Sequence, residues 1–157
     1  MHSTKVKLIK KKCIENNFNI SFAESCTGGL LSSLFTRIPG SSQFFEGAYI
    51  VYSNKLKVKA LNVPAKIIKK YGAVSNECCK VMVQSLYKIS QSKICVSITG
   101  IAGPGGGSKK KPIGLVYIGI KKGKLLIIKE NKFKSKKRST IQNLAANKVI
   151  KILKDLI

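Results

Sequence analysis

FNISFAESCTGGLLSSLFTRIPG, Phe18 to Gly40, is the stretch that decides the fold of this 157-residue chain. Phe18 to Ala23 reads as a short strand. Glu24-Ser25-Cys26-Thr27-Gly28-Gly29 turns it directly into an apolar helix, Leu30 to Arg37, which Pro39-Gly40 ends. Upstream, Val6, Ile9 and Cys13 recur at helical spacing, so a first amphipathic helix is expected over about Thr4 to Asn16. Downstream, Ala48 to Tyr52 reads as a second strand, Ser53-Asn54 caps a helix reaching Leu61, and Pro64 opens a short helix that stops at Gly72. Asn76 to Ser90 sets Cys78, Met82, Leu86 and Ile89 on one helical face. Lys93 to Thr99 is an apolar strand feeding a glycine-rich loop, Gly100 to Lys111. Pro112 to Ile120 and Lys124 to Phe133, joined at Lys121-Lys122-Gly123, read as a hairpin. A last helix carries Ile141, Leu144, Ala145, Val149, Ile152, Leu153 and Leu156 on one stripe. Strands alternating with helices, then a hairpin, predict an α/β fold: a single three-layer α/β/α domain over residues 1–157 with a mixed β-sheet.

Composition narrows the chemistry. The chain carries 30 Lys and Arg against 6 Asp and Glu, a formal charge of +24, yet 44% of it is apolar. It is therefore a folded chain and not a disordered polycation. The carboxylates Glu15, Glu24, Glu46, Glu77, Glu130 and Asp155 are too few and scattered for a glycosidase pair or a calcium cage. His2, the single histidine, adjoins the initiator Met, which argues against a Ser-His-Asp triad or a His-ligated zinc. No metal and no cofactor is expected. The five cysteines, Cys13, Cys26, Cys78, Cys79 and Cys95, form no CxxC and read as reduced, buried residues of a cytoplasmic protein. No segment has a signal-peptide core or the length to cross a bilayer, so no membrane partner is expected. Of the basic residues only Arg37 and Arg138 are arginine. A lysine-heavy surface without interleaved aromatics, as in Lys10-Lys11-Lys12 and Lys109-Lys110-Lys111, does not favour nucleic acid as partner.

Two glycine-bearing loops leave strands. The turn Glu24 to Gly29 offers free N–H groups and a helix dipole to an anion, though a plain capped helix start explains it as well. The loop from Gly100 to Ser108 is neither a P-loop nor a GxGxxG fingerprint. With histidine removed, the remaining route to a nucleophile is Ser or Cys activated by a neutral Lys. Composition cannot choose among 28 lysines.

AESCTGGLLSSLFTRIPGSS (Ala23–Ser42), GAYIVYSNKLK (Gly47–Lys57), YGAVS (Tyr71–Ser75) and SITGIAGPGGGSKKKPIGLVYIGI (Ser97–Ile120) resemble, in order, the CinA C-terminal domain family, whose members act as nicotinamide-nucleotide amidohydrolases (NMN deamidases). The resemblance implies hydrolysis of the carboxamide of nicotinamide mononucleotide to nicotinate mononucleotide and ammonia, and a homodimer. Carried over residue by residue, it puts the nucleophile on Ser42, the general base on Lys57 and a relay or orienting group on Tyr52. Substrate-binding positions fall on Ser25, Thr27, Gly28, Gly29, Thr99, Gly100 and Gly103. The family's Gly-Asp-Arg-like turn before the last helix is altered here to Phe133-Lys134-Ser135-Lys136-Lys137-Arg138. Its phosphate-binding Arg aligns with Arg138, or with Lys137 if Phe133 sets the register. Lys109-Lys110-Lys111 also departs from the acidic residues frequent in relatives. A non-catalytic pyridine-nucleotide-binding module and a basic nucleic-acid-binding protein are the alternative readings.

Overall fold

The computed structural model describes residues 2–157, with the His2 side chain outside the described residues. Five strands, β1 (Ile20–Glu24), β2 (Phe45–Ile50), β3 (Ile94–Gly100), β4 (Leu115–Lys122) and β5 (Leu125–Lys132), form one sheet in the order β2-β1-β3-β4-β5. β2, β1 and β3 run parallel, while β4 and β5 add as an antiparallel hairpin, so the sheet is mixed as expected. Helices α1 (His2–Glu15), α2 (Leu30–Thr36) and α6 (Arg138–Leu156) cover one face, and α3 (Asn54–Leu61), α4 (Ala65–Tyr71) and α5 (Asn76–Ser90) the other.

Burial explains both the elements that match the pattern and those that shift. β1 and β3 are buried on both faces and alternate hardly at all, as central parallel strands do. β2 begins at Phe45, earlier than the expected Ala48, because Phe44 and Phe45 lock its start into an aromatic cluster. The Phe45 ring lies 5.1 Å from Phe22, which meets Phe35 edge-on at 4.8 Å. Two residues assigned to core stripes, Ile89 and Leu144, stand at the surface, and Ile150 joins the core instead. All five cysteines are buried and unpaired.

The chain leaves β1 into α2 on one face and leaves β2 into α3 on the other. At the carboxyl ends of adjacent parallel strands, connections that diverge in this way open a crevice, the usual ligand position in doubly wound sheets. The glycine turn after β1 sits at that crevice, but its anion site is already filled. Glu24, fully buried, turns its carboxylate back onto the start of α2. Oε2 accepts the N–H groups of Gly29 and Leu31 at 3.1 Å each, and Oε1 accepts those of Ser32 at 2.8 Å from N and 2.5 Å from Oγ. Of Thr27, Gly28 and Gly29, expected to bind substrate, Gly29 gives its N–H to the protein's own carboxylate, which compensates the helix dipole. Glu24→Ala should therefore lower stability by about 1–3 kcal/mol, since buried N–H groups lose their acceptor. Urea unfolding should show a lower midpoint with an unchanged slope, and Glu24→Gln, which keeps one acceptor oxygen, a smaller loss.

Candidate active site

Lys57 is the one lysine fully buried among the described residues, with 1% of its surface exposed. Its position follows from local structure. Ser53 caps α3, its Oγ accepting the Leu56 N–H at 3.0 Å, and Lys57 lies one turn in. Side chains on a helix lean toward its N-terminus, so Lys57 reaches back over the end of β2. There its Nζ lies 2.9 Å from the carbonyl of Val51, 3.2 Å from that of Tyr52 and 3.0 Å from Ser25 Oγ at the end of β1. Burial lowers the Lys57 pKa from its ordinary value, outweighing the neighbouring Cys78 and Cys26, which act in the opposite sense. The three ion pairs among the described residues all lie at the surface, and none involves Lys57.

The set of partners matters as much as the distances. Carbonyl oxygens only accept, so Val51 and Tyr52 use two Nζ–H groups. Ser25 Oγ can either accept a third N–H from the ammonium or donate its own proton to the lone pair of the neutral amine. The neutral form is the form that burial favours, and with two N–H groups on the carbonyls its lone pair is available to the Ser25 hydroxyl. Ser25 is itself buried, and its backbone N–H is tied to the carbonyl of Ile98 on β3 at 3.0 Å, which fixes the hydroxyl in place. Among the described residues, the N–H of Cys26, next in sequence, donates to no backbone carbonyl. The Cys26 thiol also lines the site, but burial pushes its pKa up to about 12, so it stays protonated and unreactive.

Ser25 and Lys57 face a cavity of about 200 Å³ whose wall includes Tyr52, Thr99, Gly100 and Arg138. Thr99 Oγ1 donates to the carbonyl of Ala73 at 2.8 Å and joins β3 to the segment before α5. Arg138 opens α6 and spans the mouth. One guanidinium nitrogen donates to the carbonyl of Gly103 at 2.8 Å, another to the Tyr52 hydroxyl at 2.6 Å. One turn further along α6, Gln142 Nε2 donates to the carbonyl of Cys26 at 2.9 Å and pins the helix to the Ser25 turn. Beyond Gly103, the glycine-rich loop and the β5–α6 connection enclose an open groove of about 1110 Å³ bordered by Lys109, Lys134 and Lys136.

The candidates from sequence thus separate into two groups. Ser25, Lys57, Tyr52, Thr99, Gly100 and Arg138 converge on one cavity. Arg138 rather than Lys137 reaches it, because Lys137 is the exposed residue preceding α6. Tyr52 touches Lys57 through its carbonyl, while its hydroxyl accepts a hydrogen bond from Arg138. Gly103 contributes through its carbonyl to Arg138. Thr27, Gly28 and Gly29 belong to the Glu24-capped start of α2, outside the cavity wall. Ser42 is exposed in the 3-10 turn Ser41–Gln43 that precedes β2. Lys57 acts beyond the other end of that six-residue strand, and the strand spans about 20 Å at roughly 3.3 Å per residue. Within one chain Ser42 and Lys57 therefore form no dyad, and Ser25 holds the position beside the amine. Asn54 and Cys26 also line the cavity, though no spacing in the sequence marks either of them.

Residues 2–157 match the model of the CinA C-terminal domain family. A CinA-like protein of Fervidobacterium nodosum is 48% identical over 120 residues, covering 76% of this chain and 28% of that protein. One from Prochlorococcus marinus subsp. pastoris is 48% identical over 139 residues, covering 87% of this chain and 32% of its own length. The chain thus spans about a third or less of these two relatives. Among solved structures, the competence/damage inducible protein CihA from Agrobacterium tumefaciens superposes with a TM-score of 0.88 at 30% identity, over 95% of this chain and 93% of that one. A competence-damaged protein (CinA) superfamily protein from Escherichia coli has the same fold, with a TM-score of 0.95 at 23% identity over 100% of this chain and 91% of the other.

Proposed function

Because this chain belongs to the CinA C-terminal domain family, we propose that it is a nicotinamide-nucleotide amidohydrolase that converts nicotinamide mononucleotide to nicotinate mononucleotide and ammonia through a Ser25–Lys57 pair. The observation that carries this reading is a lysine buried without a carboxylate partner, its amine 3.0 Å from a fixed serine hydroxyl at the crevice of a parallel sheet.

The chemistry is acyl transfer. Neutral Lys57 takes the proton of Ser25 Oγ as that oxygen attacks the carboxamide carbon. The tetrahedral oxyanion faces the N–H of Cys26, the residue after the nucleophile. Lys57 returns its proton to the leaving nitrogen, ammonia departs, and a nicotinoyl ester remains on Ser25. Water, deprotonated by the same amine, attacks that ester and releases the carboxylate product. Every proton passes through one nitrogen, so no histidine is needed. A cavity of about 200 Å³ admits the carboxamide end of the substrate. The nucleotide's phosphate then extends past Arg138 toward the groove bordered by Lys109, Lys134 and Lys136, where positive charge favours it. A protomer paired with a second copy fits the same reading.

Ammonia release from nicotinamide mononucleotide by the purified chain tests the proposal. Turnover, with nicotinate mononucleotide as the sole pyridine product, is expected. Binding without ammonia release would instead make the chain a nucleotide-binding module. Neither binding nor turnover, together with steeply salt-dependent affinity for DNA or RNA, would make it a nucleic-acid protein.

A further inference from the structure

Lys109-Lys110-Lys111 is a run of equal charges in the sequence, and the fold separates its members. Lys109 and Lys110 stand exposed, whereas Lys111 is half-buried. Its Nζ donates to the carbonyl of Tyr71, the last residue of α4, where the helix dipole favours a cation. Gly72 makes room for it: a Cβ there would stand 2.8 Å from the ammonium. The main chain of Lys111 meanwhile closes the end of the glycine-rich loop, its carbonyl accepting the Ser108 N–H at 2.8 Å and its own N–H donating to Ser108 Oγ at 3.0 Å. Arg138 holds the other end of the loop by donating to the Gly103 carbonyl. Between these ties Gly103 and Gly107 press on Ile113, and a Cβ at either would stand 2.8 Å from its side chain, while a Cβ at Gly105 would meet nothing within 4 Å. The loop is thus a strap with a fixed base and a free tip, running from α6 on one face of the sheet to α4 on the other.

We infer that Lys111 is a positioning residue that acts through this strap: by tying the loop to the end of α4 it fixes the groove walled by Pro104–Lys109, and so sets how tightly the phosphate end of the substrate is held. The tie reaches the cavity wall as well. Tyr71, Gly72 and Ala73 present three successive carbonyls, and each takes a side-chain donor: Lys111 Nζ, Ser75 Oγ at 2.8 Å and Thr99 Oγ1 at 2.8 Å. Ala73 itself and Val74 line the cavity. Of the three donors Lys111 alone belongs to the loop, so it couples the groove to that wall. The reacting groups are held elsewhere. Ser25 is tied to β3, and Lys57 to the chain beyond β2 and to Ser25, with no bond to the loop. Loosening the strap therefore removes binding that substrate and transition state share, which raises KM and spares kcat. The tie stands on its own geometry, while its effect on substrate rests on the reading of the cavity as an amidohydrolase site.

Lys111→Met keeps the aliphatic stem and deletes the ammonium. The loop amides, that of Ser108 first, should then exchange hydrogen at least about tenfold faster than in the wild type, since exchange reports local opening. With nicotinamide mononucleotide KM should rise about tenfold, the scale of one lost charged hydrogen bond, and kcat should stay within about twofold. Nicotinamide riboside, which lacks the phosphate, should show no such rise. Lys111→Arg, whose guanidinium still donates to a carbonyl, should recover most of both effects. Lys110→Met removes the same charge from the same loop without touching the tie and should match the wild type throughout. Unchanged exchange in Lys111→Met, faster exchange with an unchanged KM, or a loss in kcat instead of KM would each overturn the proposal. So would an equal KM rise in Lys110→Met, which would trace the effect to general attraction of an anion, or an equal rise with the riboside, which would detach it from the phosphate. Exchange needs no turnover: a wild-type chain that released no ammonia would defeat the amidohydrolase reading, and the exchange rates would still decide the tie.

Discussion

Ser25→Ala should abolish ammonia release from nicotinamide mononucleotide, by at least about a thousandfold in kcat, while the protein keeps its fold and its affinity for the nucleotide. Removing Oγ deletes the attacking atom but little packing, because alanine fills the same backbone position and the Ser25 N–H keeps its bond to Ile98. Lys57 retains the carbonyls of Val51 and Tyr52, so the cavity should not collapse. A nucleophile loss of this type lowers kcat and leaves KM nearly unchanged. If Ser25→Ala turns over substrate at a near-normal rate, Ser25 is only a wall of the pocket and the pair with Lys57 is not the catalytic one. Cys26 gives the same substitution a second use. Rescue of activity by Ser25→Cys, but none by the neighbouring native thiol, would show that position rather than thiol chemistry selects the nucleophile.

Lys57→Met should be equally damaging and should also erase the pH profile. The unprotonated amine is the working form, so wild-type activity should climb by about tenfold per pH unit while Lys57 remains mostly charged, then level off once it is neutral. Burial places that titration below the ordinary lysine value of about 10.4, so the plateau is reached at lower pH than a surface lysine would allow. Lys57→Arg is the informative companion. It keeps a cation and hydrogen-bond donors but cannot give up its proton, and it should be inactive at every pH. An acidic limb that persists in Lys57→Met would assign the titration to another group and remove Lys57 from proton transfer.

The Phe18–Gly40 stretch carries enough local information to declare its own structure: a strand with apolar residues on both sides, glycines at positive φ where the chain turns, and a proline-glycine stop. The same is true of Asn76–Ser90, where a serine cap and a helical apolar period coincide with the observed bounds of α5. These features depend on neighbours in sequence, and sequence reports them. The edge strand β2 is less legible, because one flank meets solvent and its start is set by Phe44 and Phe45 packing on residues far along the chain.

Sequence by itself therefore determined the class of the fold, the family resemblance, and, through the scarcity of histidine and carboxylate, a hydroxyl or thiol nucleophile served by lysine as the available chemistry. It could not decide which lysine of 28, because a lowered lysine pKa comes from burial, a property conferred only when α3 folds back over the ends of β1 and β2. It left the glycine turn after β1 open between an anion site and a plain capped helix start, since nothing in Glu24-Ser25-Cys26-Thr27-Gly28-Gly29 shows that the carboxylate at its head curls back onto the helix it precedes. It also joined Ser42 to Lys57, which motif order allows. Within one chain the tertiary structure separates them by the length of a strand and sets Ser25 beside the amine, because residues distant in sequence meet only where parallel strands end together.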